Sequence, residues 1–496
     1  MIRINFFDKA FETKLYQPPA VRGGYQKPPT RANPRQKLEE GEQPFDPSKI
    51  CRSMWVYPQD LERVKREGPN TFKTLPITVD DIPHRVPYAE RLRYLSIPHW
   101  MVDASKHIGT RKMFLAELSF LTHHMKKHND YKYCIYFGSA PHMKCGLLNR
   151  LFPNIIWILV DANEHFIWHK GNRDYSHYKA VDSGLYVYMR VAAATPKLDD
   201  DKSLANNMKY HTDQPKTIRH YKSDAVFDKR GLHHDIEYGP DAVDYILGNT
   251  KARVFIFEQY ADRKLTRDTL SHLVARSPYE VLIMSDVRLE NSSLGVLSDQ
   301  ALYYTWIHDL IDNNTTTVHS CFKMRFPFLD SDPIPDISKY QQVFDDAEAL
   351  DGHFKTPGEV IPFFDGVVAI QPWAIHNSTE GRLWSNREQL SRLRNWNAIE
   401  YEQKYAYYNR FMRHVGMFPN KLADKQLGFD HCGDCALEAH QLCEYCERFP
   451  EAKMTPEAIH AAISEIGLKT LRGIKTPAHG RCFPDEPFEL TSKSRY

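Results

Sequence analysis

Five short stretches of this chain carry residue types and spacings that could do chemistry. The first is YFGSAPHMK, in which Gly138, Ser139, Ala140 and Pro141 form a tight turn after an apolar run of strand length. A glycine turn at that place lets a ligand approach the backbone, and the next apolar run, IIWILVD, stops at Asp161, whose carboxylate suits the two hydroxyls of a ribose. A nucleoside-like ligand is expected here. The dinucleotide fingerprint G-x-G-x-x-G is absent, because Ser139 follows Gly138 and His142 stands where a further glycine would fall. A pyrophosphate cradle is therefore not expected, and the ligand should lack phosphates, as S-adenosylmethionine does. The second stretch, LIMSDVR, delivers Asp286 at the carboxyl end of another buried-looking run. FKMRFPFLD carries Lys323 and Arg325 along a strand that otherwise reads as core, so Lys323 should have a partner. Glu380 stands at the start of a strand in STEGRLWS, and Lys112 lies near the start of a helix with Met113, Phe114, Leu118 and Leu121 on one apolar face.

A separate group is DHCGDCALEAHQLCEYC, where Cys432, Cys435, Cys443 and Cys446 form two C-x-x-C pairs of the kind that bind zinc. If the intervening residues are helical, eight positions at 1.5 Å each separate Cys435 from Cys443 by about 12 Å, too far for one tetrahedral ion. Only a bend would bring the four together, so buried reduced thiols are expected and no metal is assigned.

The elements that must position these residues read as follows. Strand, glycine turn, helix and second strand from Tyr133 to Asp161 make a βαβ unit, so an open α/β sheet is expected, with ligands beyond the carboxyl ends of its strands. Further strands are expected near 252 to 260 and from Tyr279, joined by the helical DRKLTRDTLSHLVARS, and LGVLSDQALYYTWIHDLIDNN reads as an amphipathic helix. GVVAIQPWAIHNSTEGRLWS reads as a hairpin-like strand pair, and the chain after Asn386 as helical. Three regions are expected: a proline-rich extended arm over 1–85, a sheet domain over 86–385 with an insertion at about 165–248, and a helical region with the cysteines and a basic tail over 386–496.

The bulk composition narrows the classes. With Lys+Arg 65 against Asp+Glu 63, a formal net charge of +2 demands no nucleic-acid partner, so any such surface must be local. No run of about 18 apolar residues exists, and the opening MIRINFFDKAFETK lacks the apolar core of a signal peptide, so no membrane association or export is expected. Nine cysteines, an odd number scattered over a long chain, fit a reducing compartment better than a disulfide framework.

Lys112, Asp286, Lys323 and Glu380 stand in chain order, each with an ordinary reading taken singly. Together with GTRKMFLAELSFL, YFGSAP, LVD, QPWAIHNSTEGRLWS and YEQKYAYYN, they give a chain that resembles the poxvirus-type mRNA cap-specific nucleoside 2'-O-methyltransferases, which also serve as the small subunit of the viral poly(A) polymerase. The likeness covers about 100 to 465, apart from the insertion. It implies a Rossmann-like S-adenosylmethionine-dependent methyltransferase fold and a catalytic tetrad formed by Lys112, Asp286, Lys323 and Glu380. In that reading Lys323 activates the ribose 2'-hydroxyl of the first transcribed nucleotide, Lys112 and partial burial lower its pKa, and Asp286 and Glu380 hold the two ammonium groups. The resemblance places S-adenosylmethionine against Gly138, Ser139, Ala140, Pro141 and Asp161, with Tyr260, Ala261, Asp262 and Asp286 nearby. It places the cap's methylated guanine between aromatic rings, against Arg325, Phe328, Asp330 and Glu402, with Tyr88, Tyr94 and Trp100 competing to supply the second ring. His142 departs from the family's GSAPG pattern. The implied partners are capped mRNA and a poly(A) polymerase catalytic subunit or other capping enzymes, in the cytoplasm of a virus-infected cell. Two other functions remain open: a non-catalytic RNA-binding subunit that stimulates a poly(A) polymerase, and an RNA 2'-O-methyltransferase with no cap pocket.

Overall fold

The computed structural model describes residues 70–87, 99–140, 144–162, 186–190, 233–235, 239–249, 253–257, 259–288, 293–326, 341–351, 360–374, 378–413, 416–423 and 429–470, with 63, 66, 67, 142 and 427. Pro141, Phe328, Asp330, Tyr88 and Tyr94, and the side chain of Trp100, lie outside the described residues. Two compact units partition the chain, one of Met1–Ser119, Ile370–Thr379 and Glu400–Tyr496, the other of Phe120–Ala369 and Glu380–Ile399.

Thirteen strands are described: β1 (Asn70–Thr71), β2 (Lys132–Phe137), β3 (Ile155–Val160), β4 (Tyr186–Arg190), β5 (His233–Asp235), β6 (Val254–Phe257), β7 (Val281–Ser285), β8 (Val318–Arg325), β9 (Val360–Phe364), β10 (Val367–Ala369), β11 (Glu380–Asn386), β12 (Leu393–Asn397) and β13 (Gly416–Met417). Nine of them form one sheet in the order β10-β11-β8-β7-β2-β3-β6-β4-β5. Every neighbouring pair from β8 to β5 is parallel, while β11 runs antiparallel to both β8 and β10. The second unit is thus an α/β body around a mostly parallel sheet, compatible with a Rossmann-like fold. All residues of β2, β3, β6 and β7 are buried, which is why these segments read as continuous apolar runs without alternation.

The order explains where a ligand belongs. From β2 the chain passes through the helix Cys145–Leu151 to β3 on one side, yet β7 pairs with β2 on the other. Such a reversal opens a crevice outside the carboxyl ends of the two central strands. Gly138, Asp161 and Asp286 all lie there, because the ladder bonds run one residue past the strands: Gly138 N–H to Val160 O at 2.8 Å, Asp161 N–H to Phe257 O at 3.1 Å, and Asp286 N–H to Phe137 O at 3.0 Å.

Several expectations change on this fold. GLYVYMRVAAA, read as part of an insertion, supplies β4, which pairs in parallel with β6 and carries β5 at the sheet edge. That stretch extends the sheet. The helix Ser293–Ile311 is not amphipathic: from Leu294 to Ile311 nearly every residue is buried, Ser298, Asp299 and Gln300 included. The chain after Asn386 is not all helix, since β12 pairs antiparallel with β9. Lys112 is mid-helix, because that helix begins at His99 and runs to His124.

In the first unit, part of the stretch expected as an extended arm is folded: β1 pairs with β13, Phe72 stacks on Phe418 with centroids 5.1 Å apart, and Val79, Ile82 and Val86 are buried. The helix Gly433–Arg448 carries two buried carboxylates one turn apart. Asp434 accepts from Arg413 Nε at 2.9 Å and from Trp373 N–H at 3.0 Å, and Glu438 from Arg111 Nε at 2.7 Å and Trp373 Nε1 at 2.6 Å. Burial alone would raise the Glu438 carboxyl, but Arg111 and His460 outweigh it and hold it at about 2.

Candidate functional site

The site is assembled by period-two alternation at three strand ends. Asp286-Val287-Arg288, Lys323-Met324-Arg325 and Glu380-Gly381-Arg382 each place an arginine two residues after another charged residue. Residues i and i+2 share a face of extended chain, and paired residues on neighbouring strands point the same way. In the β11–β8 ladder Glu380 is opposite Arg325, and Arg382 opposite Lys323. Four charged side chains therefore leave one face of the sheet within two adjacent positions, and β7 brings Asp286 alongside.

The contacts are direct. Lys323 Nζ lies 2.6 Å from Asp286 Oδ1 and 3.3 Å from the Asp286 carbonyl oxygen. Arg382 donates to the same Asp286 Oδ1 at 2.8 Å and to Ser285 O at 3.0 Å. Arg288 lies 2.8 Å from Glu380 Oε2 and 3.5 Å from Asp299 Oδ2, the latter sent from the buried helix Ser293–Ile311. That helix turns its polar residues inward to hold the site: Tyr303 Oη donates to Val287 O at 2.7 Å, and Gln300 to Arg325 O at 3.4 Å. The sequence missed Arg288, Arg382 and Asp299. The two arginines had a visible signal, an arginine in step with each acid on a buried strand; Asp299 had none.

Burial dominates the electrostatics. The Lys323 side chain is 12 % exposed, and desolvation pulls its pKa down to about 8 against the opposing pull of Asp286; Arg288 and Arg382 push it down further, and Glu380 pushes it up. A lysine held there can give up and take back a proton near neutral pH. Within this unit the cations acting on Lys323 are Arg288 and Arg382, beside the part that the resemblance gives to Lys112. Lys112, half-buried, belongs to the first unit, as does the buried Glu402. Within this unit Glu380 is paired with Arg288, and the acid in contact with Lys323 is Asp286.

The turn after β2 fits the close approach of a ligand. Gly138 has φ +70°, and a Cβ there would lie 2.6 Å from Val287 N, so no other residue fits without moving the loop after β7. Asp161 Oδ2 accepts from Ala140 N–H at 3.0 Å, which fixes this carboxylate at the mouth of the turn. Ser139 is buried. Tyr260 lies close enough to Asp161 that the carboxylate, added to burial, holds its phenol well above the usual range. Trp306 Nε1 donates to Ala261 O at 2.8 Å and stacks on Phe137, and Asp262 caps the following helix through Leu265 N–H at 2.7 Å. His142 has φ +44°, so this residue adopts the left-handed conformation a glycine would take freely, and its ring sits buried against Tyr136 and Trp157.

The four cysteines do not converge. Cys435, Cys443 and Cys446 lie on the unbroken helix Gly433–Arg448, and Cys432 caps it, its Sγ accepting from Cys435 N–H at 3.4 Å. No bend brings Cys443 to Cys435. The described cysteines are free thiols, and burial raises the pKa of Cys435, Cys443 and Cys446. Asp430, Cys432 and Cys435 offer ligand atoms within 4.8 Å of one another, but their mutual bonds are those of a helix cap.

No helix among the described residues is long and apolar enough to cross a membrane. Fold and site define an α/β protein with a mostly parallel sheet and an ion-pair cluster beyond the carboxyl ends of its central strands. No family model matches the chain, and no curated protein matches it.

Proposed function

We propose that the chain is an S-adenosylmethionine-dependent methyltransferase acting on the ribose 2'-hydroxyl of the first transcribed nucleotide of capped mRNA. The observation that carries this reading is the Lys323–Asp286 pair, with its easily deprotonated amine, set beside the glycine turn at the point where the strand order reverses. The strand order, with an antiparallel β11 between β10 and β8, also suits a methyltransferase version of the Rossmann-like sheet.

The residues present fit the donor. Gly138 leaves room where a Cβ would close it, Asp161 offers a fixed carboxylate for a ribose diol, and Tyr260 lies near that carboxylate. Bound there, S-adenosylmethionine supplies a methyl group on a sulfonium, activated toward an oxygen nucleophile. The chain's own part is to orient the hydroxyl and manage its proton. Asp286 fixes the Lys323 amine, which in its neutral form would take the proton of the ribose hydroxyl as that oxygen accepts the methyl group, the donor leaving as a neutral thioether. Arg288 holds Glu380 beside this group. The roles of Lys112 in the tetrad and of Arg325, Phe328, Asp330 and Glu402 at the cap rest on the resemblance alone. Cytoplasmic capped transcripts are the substrate, and a poly(A) polymerase subunit or other capping enzymes the partners.

The test is mass analysis of a short capped RNA incubated with the protein and S-adenosylmethionine, for the wild type and Lys323→Ala. One added methyl group on the first-nucleotide ribose, lost in the variant while donor binding persists, is expected. Wild-type turnover in the variant, or methylation indifferent to competition by free methylated cap dinucleotide, would refute the mechanism or the cap specificity respectively. Binding and polymerase stimulation without methyl transfer would instead mark an RNA-binding subunit.

A further inference from the structure

The contacts around Asp286 contain more than a lysine and its counter-ion. Lys323 Nζ and Arg382 reach the same oxygen, Oδ1, at 2.6 and 2.8 Å. They arrive from facing positions of one antiparallel ladder, so the β11–β8 register sets the two side chains next to each other. Arg382 is further fixed by its bond to Ser285 O and is 2 % exposed. Its guanidinium stays charged at any working pH, and Asp286 and Glu380 strengthen its hold on the proton. A single carboxylate oxygen therefore serves one permanent cation and one cation that can lose its charge.

We propose that Arg382 is a positioning residue that sets the protonation of Lys323, by claiming with a fixed charge the Asp286 oxygen on which the lysine rests. The role of the amine in methyl transfer rests on the reading above; the charge relation between the two side chains does not. An ammonium group alone with a buried carboxylate is held charged by that partner. With a guanidinium already neutralising the carboxylate, the second cation gains less from its charge and feels the first as a like charge at close range. Arg288 pushes the lysine the same way, and more strongly, but it is paired with acids of its own, Glu380 and Asp299, whereas Arg382 is the cation that shares the lysine's acid. The arrangement places an arginine where an uncharged residue would otherwise leave Lys323 locked as an ion pair.

Arg382→Gln tests this, because the amide can still donate toward Ser285 O and Asp286 while the charge is gone; Arg382→Met is a second neutral replacement and Arg382→Lys a charged one. The Lys323 amine is titrated by NMR of lysine labelled at Cε, its signal identified by its loss in Lys323→Met. In the neutral variants its midpoint is expected to rise by about one pH unit, while Arg382→Lys stays near the wild type. Methyl transfer near pH 7 should fall about tenfold in Arg382→Gln and recover as the pH is raised, the acid limb moving with the lysine. A midpoint unchanged in the folded neutral variants overturns the proposal, as does a loss of activity equal at every pH. A wild type that titrates as described but transfers no methyl group would leave the Arg382 relation standing and sink the methyltransferase reading alone.

Discussion

Replacing Lys323 with methionine keeps the length of the side chain and removes its charge, and the consequence for stability can be worked from the site itself. In the folded chain the amine titrates near 8, against 10.5 for an ordinary lysine, burial being the largest cause. Between these values the unfolded chain binds the proton and the folded chain does not, so the stability contributed at this position rises with pH across that window. The gap corresponds to about 3 kcal/mol, an order-of-magnitude figure, at 1.36 kcal/mol per pH unit. Below pH 8 both states are protonated and the contribution is flat at its lowest; above 10.5 both are neutral and it is flat at its highest. Urea unfolding of the wild type and Lys323→Met at a series of pH values from 7 to 11 isolates the effect, because groups common to both proteins cancel in the difference. The difference, wild type minus variant, should climb by about 3 kcal/mol over the window and level off on either side. A flat difference would mean that Lys323 is not buried in the manner described. A falling one would mean that Asp286 outweighs burial and holds the lysine charged, which would remove the neutral amine on which both the mechanism and the role of Arg382 depend.

Gly138→Ala forces an L side chain into φ +70° and a Cβ to within 2.6 Å of Val287 N, so a loss of about 1–2 kcal/mol from the left-handed backbone, plus the cost of displacing the loop after β7, is expected. Urea midpoints would read the stability, and calorimetric titration with S-adenosylmethionine should show donor binding lost; a variant that binds as tightly as the wild type would remove the turn from the ligand site. Glu438→Gln in the first unit leaves Arg111 buried without its anionic partner and should cost about 3–5 kcal/mol at pH 7. Because Glu438 is held at about 2, below the ordinary carboxyl, its contribution is fully present above about 4.5 and is lost as the pH falls toward 2, so the wild type and variant should converge in stability under acid. Unfolding midpoints that stay equally far apart from pH 7 to pH 2 would refute that pairing.

What could be read from residues alone was whatever short-range pattern encodes. The buried runs of β2, β3 and β7, the turn at Gly138, and the carboxylates at Asp161 and Asp286 were all legible, because an apolar run bounded by a turn residue specifies a strand and its end without reference to the rest of the chain. The need of Lys323 for a partner was legible for the same reason. Which partner it takes was decided elsewhere. Asp286 meets Lys323 because β7 and β8 are neighbours, and Arg382 joins them from 96 positions away because β11 runs antiparallel to β8 in one particular register. The same register turned Glu380 to Arg288. GLYVYMRVAAA looked like part of an insertion because its place in the sheet depends on an edge at β6 that no local pattern reveals. His142 shows a related limit: that its left-handed turn would set the ring against Tyr136 and Trp157 is not visible in the local sequence. Strand ends and turns are local properties of the chain, whereas ion pairs among distant strands exist only once sheet order and register have been chosen by burial of the whole core.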